Sequence, residues 1–559
     1  MESDFARREE QRLHTRHRVR NGFCMWWLGM INNFHYTLVL SGSTAIAESY
    51  DMKKYVTLIT WANVFFGIVS RIVNAFLMPL LSYNIRVTAT SVMGILAILL
   101  VSFAWDIGGH KNVVAFVVTL IGVVFIGMAG SYGEALFLGY MERMPPKQIG
   151  SWASGTGLSG VAASLIFLGL TSAGLSNSHI FLISIPVLVI YWLFYFFGLK
   201  VPFYVPVRSA SITSIDEVDA QPVDGDDESG YTYKAMTNWK GMPWTNIVPA
   251  KREEKPECLK EMEREKLRAA MGDDYVEPLD SDNTPENAQI GKCARWKRDT
   301  WPMIKEMHNF TLWNNFNLAA VYVAEYAVQF MAPFSFPCDT VKTSENFWLK
   351  NSFVITQFCY QFGVLISRSS LLCLRIRYVW IMTIIQVLNA IAWFVQAKIK
   401  YMSDPNNADR ELKFAFGLFA WMIFVGLMGG ASYVNVFYNI LKETKEMQED
   451  EEREIVEFVT RHRSMESAKK SDEEDPQKNA KDGDLIASDG ETDVGVAAGE
   501  ETEELLAAHK YIAALWKEKR DLAMNIGALY ATIGSTIGSL LDLLFTLVVL
   551  NDDDCGKPT

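Results

Sequence analysis

The sequence predicts an all-α polytopic membrane protein of about eleven transmembrane helices in two pseudo-repeated bundles. Three observations carry this. Apolar runs of ~20 residues or more recur along the chain, each long enough to cross ~30 Å of hydrocarbon. Charge is segregated: residues 200–308 and 442–520 hold 73 of the 116 Asp, Glu, Lys and Arg residues. Three motifs in the first half return in the same order in the second.

The apolar runs place spans at about 21–45, 55–83, 87–105, 113–141, 151–175, 180–199, 311–336, 347–373, 377–397, 412–441 and 522–550. Turn-rich connections such as "MPPKQIG" (144–150) and "SDPNNAD" (403–409) separate them. The arm 1–20 carries six arginines and runs straight into the first span without a small-residue cleavage site, so that span is expected to be uncleaved. With the arm in the cytosol, Arg86, Arg143, Lys147, Arg375 and Arg377 fall in cytosolic connections, the arrangement the positive-inside rule favours. The expected organisation is a cytosolic arm (1–20), a six-helix bundle (21–199), a cytosolic linker (200–310) and four helices of a second bundle (311–441). A cytosolic acidic loop, mostly disordered (442–521), a last helix (522–550) and a lumenal tail (551–559) follow. The net charge of −12 comes from the two charged segments and implies no nucleic-acid partner. Seven cysteines show neither CxxC pairs nor metal-ligand spacing, and no metal or cofactor is expected.

"NNF" at Asn32–Phe34 recurs at Asn314–Phe316, "FGIVSR" ending at Arg71 recurs as "FGVLISR" ending at Arg368, and "GMAGSY" (127–132) recurs as "GGASY" (429–433). The separations are 282, about 296 and 301 residues. Parallel repeats of six spans are the architecture of major-facilitator transporters, with the substrate site between the halves near midplane. One span is missing at the C-terminal end.

Ionisable residues inside spans are costly and face the bundle interior. Glu325 lies near the middle of span seven, Glu134 in span four, Arg71 in span two, Arg368 near the end of span eight, and Asp542 in span eleven. A carboxylate facing an arginine across the halves would neutralise both and could break and re-form as the cavity opens alternately. The competing reading is a fixed structural ion pair or a protonated carboxyl. Asn32, Asn33 and His35 interrupt the first span; they either hydrogen-bond neighbouring helices or line a polar path. Residues 32 and 35 share a helix face while 33 points about 100° away. The small residues of "SWASGTGLSGVAAS" (151–164) allow close helix approach.

"LGMINNFHYTLVLSG", "SYGEALFL", "SWASGTGLSG", "YVAEYAVQF", "YQFGVLISRSSLLCLRIR" and "GLMGGASYVNVFYNI" together resemble the battenin family of lysosomal and vacuolar membrane proteins. The resemblance spans nearly all the apolar runs in order. It implies a major-facilitator-like fold, residence in the lysosomal, vacuolar or late endosomal membrane, and a role in lysosomal homeostasis: clearance of glycerophosphodiesters and effects on lumenal pH and basic amino acids. It places family positions on Asn32, Asn33, Glu134, Glu325, Arg368, Ser432, Tyr433, Val434 and Asn435. The linkers look longer than is usual for the family, and the ending "DCGKPT" is not a C-a-a-X box.

The loop 442–520 contains "EETEELL", with Glu501 four residues before Leu505 and Leu506. That spacing matches an acidic dileucine sorting signal for trafficking adaptors; the alternative is one face of a surface helix leading into span eleven. The expected function is a solute carrier that exports a small polar anion by alternating access, with protons as candidate co-solute. Asn32, His35, Arg71, Glu134, Glu325, Arg368, Tyr433 and Asn435 are its candidate binding residues. A non-transporting membrane organiser is the rival. A central cavity where Glu325 meets an arginine favours the carrier, and a centre filled by aromatic rings favours the organiser. No nucleophile–base set points to an enzyme.

Overall fold

In hydrocarbon every backbone N–H and C=O must be paired within the chain, so an apolar run becomes a helix. The computed structural model bears this out over most of the described residues of each of the eleven expected spans. It describes residues 2–52, 55–77, 81–107, 109–110, 112–141, 144, 148–206, 231–242, 244, 255–271, 300–336, 346–370, 375–404, 407–473 and 492–548. The expected lumenal tail lies outside these.

The helices are α1 (Glu2–Ser49), α2 (Val56–Phe65), α3 (Gly67–Leu77), α4 (Tyr83–Ile107), α5 (Val113–Tyr140), α6 (Gln148–Ser172), α7 (Asn177–Ile183) and α8 (Ile185–Leu193). A π-helical turn, Phe194–Gly198, ends the sixth span. Strands β1 (Val201–Pro206) and β2 (Tyr231–Met236) then pair antiparallel and lead to the short α9 (Asn238–Gly241). Helices α10 (Glu257–Met271), α11 (Trp301–Met331), α12 (Phe347–Lys350), α13 (Ser352–Ser369), α14 (Val379–Ile399), α15 (Ala408–Glu473) and α16 (Thr492–Val548) follow.

Among the described residues, eight helical segments are long and apolar enough to cross a membrane. The other three expected spans fall on α1, α11 and α13. Asn32, Asn33 and His35 dilute the first, Asn317 and Glu325 the second, and Gln357, Gln361 and Arg368 the third. The least apolar helices are therefore those that bring polar groups inward.

The chain divides into two compact units, residues 1–248, 308–440 and 521–559 in one, and 249–307 and 441–520 in the other. Within the first unit, small residues set the helix spacing. A Cβ on Gly155 would overlap the Trp26 carbonyl of α1, and one on Gly160 would overlap the Gln361 side chain of α13. Close packing is thus what the "SGTGLSG" stretch supplies. An aromatic core of Phe137, Tyr140, Trp152, Tyr191 and Tyr195 fills the first half.

The second unit is helical. Cys258, Leu259 and Met262 of α10 are buried, as are Ile455 and Phe458 of α15 and Ala508, Ile512 and Trp516 of α16. Trp516 Nε1 donates to Glu451 (2.6 Å), and Lys266 pairs with Glu454 (2.7 Å). A mostly disordered loop was expected over 442–521. The described parts of that stretch, 442–473 and 492–521, are helix instead. Apolar residues at 508, 512 and 516 repeat every fourth position and give this polar sequence one buried face. Leu505 and Leu506 of the expected sorting signal sit on that helix, Leu506 64% exposed; the Glu501 side chain lies outside the described residues.

Candidate functional site

Each half delivers one arginine to the centre of the first unit. In α11, Tyr322, Glu325, Tyr326 and Gln329 occur at i, i+3, i+4 and i+7 and so form a single polar stripe. In α13, Gln357, Tyr360 and Arg368, at i, i+3 and i+11, share one face, with Arg368 in the last turn, where the helix dipole favours a cation. Gln329 and Gln357 zip the two stripes together at 2.7 Å. The Tyr360 hydroxyl donates to Glu325 Oε1. Gly429 of α15 lies against the Glu325 carboxyl, and any Cβ there would overlap it. Glu325 is 3% exposed, and its Oε2 has no hydrogen-bond partner among the described residues.

Arg71 of α3 pairs with Glu134 of α5 at 2.5 Å, inside the first half. The expected ion pair across the halves is therefore replaced by one within a half. What crosses is the other Glu134 oxygen, which accepts from the Tyr433 hydroxyl of α15. Arg71 Nε also crosses, donating to Thr532 Oγ1 of α16. Arg368 answers from the second half: Nη1 donates to Thr156 Oγ1 of α6 (2.7 Å), Nη2 to the Tyr322 hydroxyl (3.3 Å), and the guanidinium lies 4.3 Å over the Tyr433 ring. Tyr36 of α1 and Tyr326 of α11 join hydroxyls at 2.8 Å.

These links obey the repeat. The second span of each half donates an arginine to a threonine on the fifth span of the other, and the first spans meet through tyrosines. Both guanidiniums keep a buried donor without an acceptor among the described residues, Nη1 of Arg71 and Nε of Arg368. A buried, unpaired N–H of a cation is costly, and an anionic oxygen would satisfy it.

The structure thus brings together Arg71, Glu134, Arg368 and Tyr433, with Glu325 within electrostatic range of Arg368. It does not bring in Asn32, His35 or Asn435. Asn32 Nδ2 donates to the Gly130 carbonyl (3.1 Å) and Oδ1 accepts from Tyr191 (3.4 Å). His35 Nε2 is 3.2 Å from the Ser184 carbonyl. Both residues line a cavity of about 20 Å³ within the first half, roughly one water. Asn435 accepts from the Ile376 N–H at 2.7 Å and so fixes the connection after α13. Asp542 is buried in α16.

Sequence reasoning missed Thr156, Tyr322, Tyr326, Tyr360 and Thr532, which supply the site's hydroxyls. It also took Arg86 for a loop charge. Arg86 is 2% exposed inside α4, where it donates to Asn74 and Tyr132 and lies over the Tyr83 ring; Asn74 in turn reaches Asn525 of α16 at 3.1 Å.

Two matching helical halves closed over a buried charged centre define a multi-pass membrane protein with the architecture of a transporter. The family model described as CLN3 protein matches residues 23–465, and the chain belongs to that family, the battenins. It is 32% identical to battenin of Dictyostelium discoideum over 439 residues, 78% of this chain and 88% of the relative. To dog battenin (Canis lupus familiaris) it is 24% identical over 459 residues, 77% and 85% of the two chains. Among solved structures it is similar to the proton:xylose symporter XylE, with TM-score 0.43 and 9% identity over 95% of this chain and 96% of that one.

Proposed function

We propose that this protein is a solute carrier of the lysosomal or vacuolar membrane, with a cytosolic N-terminus, that exports small polar anions such as glycerophosphodiesters by alternating access coupled to protons. The observation that carries the reading is the pair of guanidiniums, each with a buried, unmet donor among the described residues. The centre holds two arginines, the Glu134 carboxylate and Glu325. With Glu325 protonated it has one positive charge to spare; with Glu325 ionised it has none. A monoanionic phosphodiester therefore fits the protonated form, and proton and anion enter as a neutral pair. Arginine suits the task because its planar fork matches a phosphate's oxygens. The bonds between the halves are neutral–neutral or charge–hydroxyl bonds, exchangeable for bonds to a solute as one half rocks against the other. A basic amino acid fits this centre less well, since its charge repeats that of the arginines.

The tyrosines at the centre favour a second reading, a non-transporting organiser or trafficking or pH-regulating protein. Their hydroxyls all engage in the polar network, which suits a site that must exchange partners. Ligand-dependent thermal unfolding of the detergent-purified protein separates the two. A carrier is stabilised by RT ln(1 + [L]/Kd) as glycerophosphodiester rises, and glycerol at the same concentrations leaves the transition unmoved. An organiser responds to neither.

A further inference from the structure

One face of the first unit carries a second candidate site, independent of the charged centre. A cavity of about 780 Å³ runs along α4, lined by Thr88, Val92, Leu96, Leu100, Phe125 and Trp244 among others. From Ile85 to Leu100 it covers sixteen residues, whose fifteen rises of 1.5 Å make about 22 Å, longer than the ~15 Å of one leaflet. Apart from Trp244, its walls belong to membrane-spanning helices, and Val92 and Leu96 are 51% and 60% exposed. At that depth the solvent is lipid chains.

The end of this groove is tied to a basic cluster through stacked rings. Trp244 stacks on Phe196 at 5.0 Å and meets Trp239 edge-on at 5.4 Å; Trp239 stacks on Phe197 at 5.5 Å. Trp192 Nε1 bonds Thr88 in the groove wall at 3.0 Å. Arg20 grips the Phe197 and Gly198 carbonyls, both at 2.7 Å, which brings the base of α1 to the same corner. Lys200 follows immediately, and Lys240 follows Trp239. Partial burial and the charges of Arg20 and Lys240 hold Lys200 below the ordinary lysine range. Partial burial and the neighbouring Lys200, Arg20, Arg16 and His14 do the same to His17. The cations at this corner repel one another and gain from a shared anion.

We infer that this corner binds an anionic phospholipid of the bilayer, with one acyl chain in the α4 groove beneath Trp244 and the phosphate-bearing headgroup on Arg20, Lys200 and Lys240. Aromatic side chains favour the membrane–water boundary, and each basic residue there strengthens attraction to an anionic surface by about fivefold. The groove adds what a polybasic patch alone lacks, a seat for one particular lipid molecule.

Native mass spectrometry of the full-length protein tests this, with dioleoyl phosphatidylserine and dioleoyl phosphatidylcholine added separately as probes. The expected result is retention of phosphatidylserine at least about fivefold above phosphatidylcholine. Lys200→Glu combined with Lys240→Glu should abolish the preference, and Leu96→Trp should weaken retention of both lipids. Excess glycerophosphoserine, the headgroup without chains, should leave the bound lipid in place. Equal retention of the two lipids by the unmodified protein overturns the inference, and needs no variant to fold. So does a preference that survives the double substitution, or displacement by the chain-free headgroup, which would mark a site for soluble anions.

Discussion

Arg71 and Arg368 are equivalent residues of the two halves, and each reaches across to a threonine in the fifth span of the other: Thr532 for Arg71, Thr156 for Arg368. The equivalence breaks at one point. Arg71 has a carboxylate partner in its own half, Glu134, whereas Arg368 lies over the Tyr433 ring. Arg71 is thereby compensated, and Arg368 is the centre's surplus cation whenever Glu325 is protonated.

That asymmetry predicts different outcomes for the two arginines. Arg71→Gln leaves Glu134 buried without its cation and should destabilise the protein by about 3–5 kcal/mol. Arg71→Met with Glu134→Leu should recover most of that loss, because an apolar pair of similar volume replaces a buried ion pair at little cost. Neither variant should transport. Arg368→Gln should stay close to the unmodified protein in thermal unfolding while uptake falls at least about tenfold. Thermal unfolding and uptake measured on the same preparations check this.

Gly429 should tolerate no side chain. Alanine there drives a methyl group into the Glu325 carboxyl, and overpacking of this kind costs about 1–3 kcal/mol. Transport should drop with it, since Glu325 must shift or lose its Tyr360 bond. Pairing Gly429→Ala with Glu325→Ala should restore the unfolding temperature but not uptake.

The Tyr36–Tyr326 hydroxyl pair should behave as one unit. Tyr36→Phe, Tyr326→Phe and the double variant should lie within a few tenths of a kcal/mol of one another, each about 0.6 kcal/mol below the unmodified protein, the usual scale for bonds between membrane helices. A double-mutant cycle on unfolding free energies measures it. Additive losses would mean that the two hydroxyls have separate partners.

Much of this architecture is legible in the sequence, for physical reasons. Hydrocarbon thickness fixes span length, so every expected span falls on helix. The repeat makes Arg71 and Arg368 visible as a pair, and the cost of burying charge marks Glu134 and Glu325. The hydroxyl partners are not legible: Thr156 and Thr532 look like any threonine in a small-residue span, and only the packing of spans two against eleven and five against eight selects them. Asn32 and His35 leave two readings open in the sequence, because a buried amide or imidazole is as well satisfied by a neighbouring backbone carbonyl, here Gly130 and Ser184, as by a solute. Arg86 misleads because its position at the start of a span looks like a loop charge until Asn74 and Tyr132 are seen to hold it. The high charge of residues 442–473 and 492–521 obscures their helices, although the apolar positions Ala508, Ile512 and Trp516 already suggest one of them.

Uptake of labelled glycerophosphodiester into liposomes that hold the purified protein, with a pH gradient imposed, tests the central claim most directly. The account predicts uptake above that of empty liposomes, accelerated when the side of entry is acidic, and a Glu325→Gln variant whose residual uptake ignores the gradient. Uptake no greater than that of empty liposomes, or a Glu325→Gln variant that responds to the gradient as the unmodified protein does, would contradict it.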